Sequence, residues 1–248
     1  MHVTMRLRLW LFVAIATLAF ALPSQAQGNI RTVYLVKVKS GQEENWKSIV
    51  KDVAALRKKT GSKESFTVWD SLTGPTQHAV VWYNAKWKEM DEMDPAGKGS
   101  EAEYTGLFAR LTDATESLEV WIDELQPDMT MMSSDVPPVI RVGRTKVISG
   151  KMPEVRALFH DEVFPAVQKS GATSFGVAVA RFGTPSNEIH TFLGLKGWGD
   201  LDEPVGAAKG MGADGYKAFE AKITPLIEST EFSIYKFAPE LSYLAPAK

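Results

Sequence analysis

Residues 32–39 alternate, with Tyr34, Val36 and Val38 on one side and Val33 and Leu35 on the other until Lys37 interrupts. That pattern predicts a strand largely covered on both faces. Ser40 and Glu43 then have the spacing of a capping box, in which side chains satisfy the free amides of a helix start. Trp46, Ile49, Val50, Val53 and Leu56 recur at helical spacing, and Gly61 is placed to stop the helix. Strands are predicted at 65–70 and 78–84, joined across the turn Leu72-Thr73-Gly74-Pro75. A helical region over 86–111, broken near Pro95-Ala96-Gly97, and a strand at 118–123 complete the unit. The same order then returns. Strand 140–148, helix 153–169, strand 173–181, a turn at Gly183-Thr184-Pro185, strand 189–196, helices between 201 and 227 and strand 232–237 follow one another.

Self-comparison supports this division. Ser40-Gly41 corresponds to Ser149-Gly150, and Gly61 and Pro75 to Gly171 and Pro185. Trp87, Asp91, Glu92, Lys98 and Gly99 correspond to Trp198, Asp202, Glu203, Lys209 and Gly210. Tyr104, Glu116, Ser117 and Glu119 match Tyr216, Glu228, Ser229 and Glu231. The offset grows from 109 to 112 one residue at a time, as a duplication with loop insertions would produce. Each half reads β-α-β-β-α-β, the split ferredoxin-like arrangement. The expected division is 27–125 for the first repeat, 126–138 for a linker and 139–248 for the second. In the linker, Met129, Met131 and Met132 suit cover for a core edge, with a copper site as the alternative.

One such unit leaves a sheet face without helices, and two can bury those faces together. The expected fold class is therefore α+β, with two tandem ferredoxin-like units forming an intramolecular α/β barrel. On this repeat and topology, residues 29–241 resemble the dimeric α/β-barrel superfamily in its fused form. The resemblance implies a cavity between two sheets, used in that superfamily for cofactor-free oxygenation, haem chemistry or small-ligand binding. Fold alone does not choose among these uses.

The N-terminus predicts a different role. Arg6 and Arg8 precede an uncharged run of 14 residues from Leu9 to Leu22, followed by Pro23 and Ser24-Gln25-Ala26. This is the pattern of a cleaved secretory signal over 1–26, and the run is shorter than the ~20 residues of a membrane-spanning helix. An exported protein, periplasmic or extracellular and without a membrane anchor after cleavage, is expected. Removing the two arginines lowers the basic count from 28 to 26 against 30 acidic residues, a net charge of about −4. With no run of five like charges, nucleic acid is a poor partner. The chain of 248 residues is 44% hydrophobic and 23% charged, ordinary for a globular protein. It contains no Cys, which removes Cys-ligated zinc, iron–sulfur clusters and thiol catalysis.

Candidate chemistry is sparse. His78 and Tyr83 fall on the third strand of the first half, and His190 and Phe192 on that of the second. Alternation sets Ile189, Thr191, Leu193 and Leu195 under helices and turns His190 and Phe192 toward the cavity, making His190, Phe192, His78 and Tyr83 the ligand-binding candidates. The alternative for His190 is a buried histidine with a backbone partner. The resemblance implies that a haem-binding member needs a proximal histidine in the second unit, and His160 or His190 could serve. Neither is surrounded by a haem signature.

Residues 210–215 (Gly-Met-Gly-Ala-Asp-Gly) fit G-x-G-x-x-G literally, but no strand is predicted before them, so a joint between two short helices is expected. Trp87 and Trp198 suit packing anchors. No Ser–His–Asp order, H-E-x-x-H or G-x-S-x-G occurs, so neither a metal site nor a catalytic set is assigned. The expected function is binding of a small, largely apolar or aromatic molecule between the sheets, without a cofactor or with haem. The alternatives are an oxidative enzyme of the α/β-barrel type, cofactor-free or haem-dependent, and a structural module without a pocket.

Overall fold

Eight antiparallel strands close into a barrel with helices packed outside it, in a computed structural model that describes residues 28–91 and 99–246. The first half contributes β1 (Ile30–Val38), α1 (Glu43–Thr60), β2 (Phe66–Ser71), β3 (His78–Asn84), α2 (Trp87–Asp91), α3 (Glu101–Ala114) and β4 (Thr115–Leu125). The second contributes β5 (Val139–Val147), α4 (Met152–Leu158), α5 (Phe164–Ser170), β6 (Phe175–Phe182), β7 (Glu188–Leu195), α6 (Ala207–Ile223) and β8 (Ile227–Phe237). A π-helical turn, Phe159–Val163, joins α4 to α5. The candidate signal segment lies outside the described residues, among which no helix is long and apolar enough to cross a membrane.

Around the barrel the order is β1-β3-β2-β8-β5-β7-β6-β4. Within each half the first strand lies between the fourth and the third, and the β2–β8 and β4–β6 pairings join the halves. Strand alternation then creates three apolar layers. Outward residues of the first half pack under α1 and α3 around Trp46, Ile49 and Phe66. Those of the second pack under its helices around Val155, Val177 and Ile189. Inward residues, among them Val33, Trp69, Trp121 and Tyr235, fill the barrel.

The apolar positions predicted for α1 are all buried, and Gly61 ends that helix with φ 64°, a left-handed conformation that suits glycine. The capping box does not form. The helix starts two residues later than the box requires: Gln42 is the N-cap, its side-chain oxygen accepts from Asn45 Nδ2 at 2.9 Å, and Glu43, the first helical residue, meets His78 Nε2 at 2.8 Å. β4 and β8 begin several residues earlier than predicted. Their leading halves are exposed and polar, so alternation carries no signal there, yet backbone pairing with β1 and β5 extends them.

Trp87 and Trp198 are both exposed rather than anchored in the core; Trp87 meets the edge of an exposed Phe182 ring. Met129 is buried in the second-half core and Met131 bridges to Phe175, so the connection 126–138 closes one end of the molecule. The glycine pattern at 210–215 lies within α6, which kinks at Gly212 (φ 72°). No phosphate-binding turn is formed there. Gly210 instead packs on the α5 backbone, where a side chain would overlap the Ala166 carbonyl.

Candidate functional site

Two cavities divide the candidate chemistry. The larger, about 560 Å³, lies outside the barrel between the first-half sheet and its helices. β1 and β3 present Tyr34 and Trp82 to it, α1 presents Trp46, and α3 presents Tyr104 and Phe108. Aromatic side chains of this kind give a ligand large apolar contact area with few polar groups to fix its orientation. The equivalent layer of the second half is closed. There Val155, Val177 and Ile189 are fully buried, and the contact at Gly210 draws α6 onto α5. In α3 the glycine at 106 has nothing within 4 Å, so no comparable close approach shuts the first-half cleft.

His78 sits beneath this cleft, on the outward face of β3, and does not face the space between the sheets as its candidacy required. Its ring stacks on Trp46 with centroids 4.3 Å apart and planes 13° from parallel. Nδ1 lies 2.7 Å from Asp70 Oδ1 and Nε2 2.8 Å from Glu43 Oε1, so both nitrogens are engaged. The hydrogen bond from His78 is the main reason the Asp70 carboxyl is held below its ordinary pKa. At the other end of the cleft the buried Arg57 guanidinium stacks on Trp82 at 4.4 Å. Two buried polar atoms on the same outward face, Thr32 Oγ1 opposite Trp82 and Asn84 Nδ2 two residues on, have no hydrogen-bond partner. Such orphans call for an explanation, and a bound water or ligand is one.

The second cavity, about 230 Å³, occupies the barrel interior. Tyr83 and Phe192 line it, as do Arg31, Trp69, Trp121 and Tyr235, and residues of the 126–138 connection close it on one side. His190 is buried just behind this lining and faces inward, as alternation predicts, but its partners are carboxylates rather than backbone. Nδ1 is 2.9 Å from Asp123 Oδ2 and Nε2 3.2 Å from Glu188 Oε2. Asp123 is 0% exposed and also receives Arg31 Nε at 2.8 Å, Arg31 Nη2 at 2.6 Å and Trp121 Nε1 at 3.3 Å. From Glu188 the chain continues to Arg144 (3.2 Å) and on to the exposed Glu119 (3.3 Å). Sequence reasoning missed Arg31 and Asp123. The available signal was a charge in phase with apolar residues: Arg31 with Val33 and Leu35, and Asp123 with Trp121 and Leu125.

These contacts move the titrations in opposite directions. Burial disfavours the charged imidazole of His190, but hydrogen bonds to Asp123 and Glu188 outweigh it and raise the pKa above 6.5. Burial also works against the Asp123 carboxylate, and Arg31 with His190 overcomes it and lowers that pKa. Glu188, bonded first to His190 and then to Thr184, falls from 4.5 to about 2. A depressed carboxyl stabilises the fold above its unfolded pKa and loses that contribution as pH falls toward its folded value. A raised histidine stabilises below 6.5 and loses its contribution as pH climbs through the folded value. Denaturant midpoints are therefore expected to be highest between about pH 5 and 6.5 and to fall on both sides. His190→Gln should flatten the alkaline limb; a natural-protein midpoint constant from pH 6 to 9 would contradict the assignment.

Haem does not fit the histidines named for it. The His160 side chain is 54% exposed, with Nδ1 on Asp161 at 2.7 Å, and the layer beside it is solid core. His190 has both nitrogens committed to carboxylates. Among the described residues, no group of three or more His, Asp or Glu side chains is placed to hold a metal ion.

No protein-family model matches the chain, and no curated protein matches it. Solved structures do. A candidate monooxygenase of Lactobacillus acidophilus NCFM superposes with a TM-score of 0.59 at 9% identity, covering 88% of this chain and 97% of that one. A second candidate monooxygenase, from Fusobacterium nucleatum, gives 0.59 at 15% identity over 88% and 95% of the two chains. A mutant chlorite dismutase from Candidatus Nitrospira defluvii gives 0.55 at 10% identity over 86% and 92%. At these identities the shared property is the fold. The chain is a mixed α+β protein with an eight-stranded antiparallel sheet, of the ferredoxin-like architecture seen in monooxygenase-like and chlorite dismutase-like proteins.

Proposed function

We propose that this chain is an oxidative enzyme of the α/β-barrel type, acting without haem on a small aromatic molecule in the outer cleft of the first half. The observation that carries the reading is the asymmetry of the two helix–sheet layers: one is solid core, the other opens about 560 Å³ lined by aromatic rings. Structural neighbours described as monooxygenases, and one described as anthrone oxidase-like, add weight. An electron-rich hydroquinone suits the cleft. Its ring and O₂ react so that one oxygen atom replaces a ring hydrogen, the other leaves as water, and the ring ends as the hydroxyquinone. Burial pushes the Tyr34 and Tyr104 hydroxyls above their ordinary pKa, so both remain hydrogen-bond donors to a substrate oxygen at neutral pH.

Oxygen consumption by the haem-free protein with a panel of hydroquinones tests this reading. Uptake above the buffer rate is expected, with a tenfold or greater loss in Leu111→Trp, which fills the cleft while leaving the barrel untouched. Uptake no faster than in buffer across the panel would sink the proposal.

The finer organisation belongs to the same reading. Residues 27–125 and 139–248 are taken as a tandem duplication joined by 126–138, which the repeated strand order supports. The leader over 1–26 directs export. A second reading, binding of a small aromatic molecule between the sheets, is favoured by the separate cavity of about 230 Å³. An engineered apolar cavity of ~150 Å³ in another protein already holds benzene. The pocketless module has no comparable support.

A further inference from the structure

We propose that the barrel interior is a selective site for a small aromatic carboxylate, with Arg31 as its anchor. The inference rests on the reading that this cavity holds a ligand and specifies which one. Arg31 is buried and lines the cavity. Its Nε and Nη2 are used by Asp123, and Phe192 covers its guanidinium plane at 3.8 Å. Among the described residues nothing hydrogen-bonds to Nη1. A guanidinium carries five N–H donors in a rigid fork, so the Nη1 donors stay available to a ligand in the cavity that Arg31 lines. A carboxylate oxygen of the ligand supplies the missing acceptor in a charge-assisted bond.

The surrounding groups set the rest of the specificity. Asp123 alone would repel a second carboxylate, but Arg31 pairs with it directly and His190 lies on its other side. Glu188 balances the histidine from its far side. Glu231, the acidic residue lining the cavity, is exposed and stands opposite Arg144 in the β5–β8 register, leaving the Arg31 end for the anion. Trp69 and Trp121 line the cavity and give the aromatic part apolar contact. The Tyr235 oxygen receives Gln77 Nε2 at 3.3 Å, which leaves its own hydroxyl proton to donate to the ligand.

Calorimetric titration of the folded full chain with benzoate and with benzyl alcohol, its neutral ring analogue, tests the proposal. Benzoate is expected to bind at least tenfold more tightly. Arg31→Lys keeps the charge beside Asp123 but loses the fork, and should weaken benzoate at least tenfold while leaving benzyl alcohol unchanged. Val142→Trp, which fills the cavity, should abolish both. Equal binding of the two probes, indifferent to Arg31→Lys but abolished by Val142→Trp, overturns the carboxylate inference and leaves the cavity reading standing. No binding of either probe overturns both. Benzoate binding that survives Val142→Trp places the anion elsewhere and overturns the inference. Should Arg31→Lys not fold, the probe comparison and Val142→Trp decide the matter.

Discussion

Asp123→Ala is expected to cost the fold about 3–5 kcal/mol, the range for removing one partner of a buried ion pair. Asp123 is fully buried and accepts hydrogen bonds from Arg31, His190 and Trp121. Alanine leaves a guanidinium and an imidazole facing each other in a buried site, without the carboxylate that both of them bonded. The lost attraction is the smaller part of the cost; uncompensated charge is the larger. Asp123→Asn separates the two, since it retains an acceptor oxygen and loses the charge, and its cost should fall between alanine and none. Because His190 owes its raised pKa to Asp123 and Glu188, Asp123→Ala should also lower it, readable by NMR titration. A loss below 1 kcal/mol in equilibrium denaturation would mean that water enters the barrel more freely than the packing shows.

Gly210→Ala should destabilise the second half by about 1–3 kcal/mol, the usual range for overpacking. On helix propensity alone the change should help by about 1 kcal/mol, so the two effects oppose each other. Packing decides, because the added methyl would overlap backbone atoms of Ala166, which cannot rotate away as a flexible side chain could. α6 would have to lift from α5, opening the layer around Val163, Val167 and Phe219. Gly106→Ala in α3, where nothing lies within 4 Å, is the control and should be neutral or stabilising. Thermal unfolding of both variants checks the pair. A raised melting temperature for Gly210→Ala would show that the two helices already stand apart, removing the asymmetry between the halves.

Much of the fold was legible because strands and helices leave periodic marks. Trp46, Val50 and Val53 declared the buried face of α1, and the alternation around Ile189 and Phe192 declared which side of β7 faces inward. The leading halves of β4 and β8 were illegible because they are polar on both faces and are defined by pairing with distant strands. The site was harder to read. Alternation turned His190 inward, but it could not show that Asp123, 67 positions away, would take one of its nitrogens. Which face of β3 His78 occupies was not legible, because both faces of that strand are covered and burial alone does not tell them apart. Nor could the sequence reveal that one helix–sheet layer closes and the other stays open. The close contact of Gly210 with Ala166 marks the closed layer, and neither residue carries chemistry.

Everything proposed for the outer cleft requires that an aromatic substrate occupy the open layer of the first half. A crystal structure of the folded protein soaked with 2-naphthol, an unreactive stand-in for a hydroquinone, tests it most directly. Density for the ring between Trp46 and Trp82, with its oxygen within hydrogen-bonding distance of the Tyr34 or Tyr104 hydroxyl, is the predicted result. A cleft closed by inward movement of α3, or naphthol bound only at other places on the molecule, would contradict it.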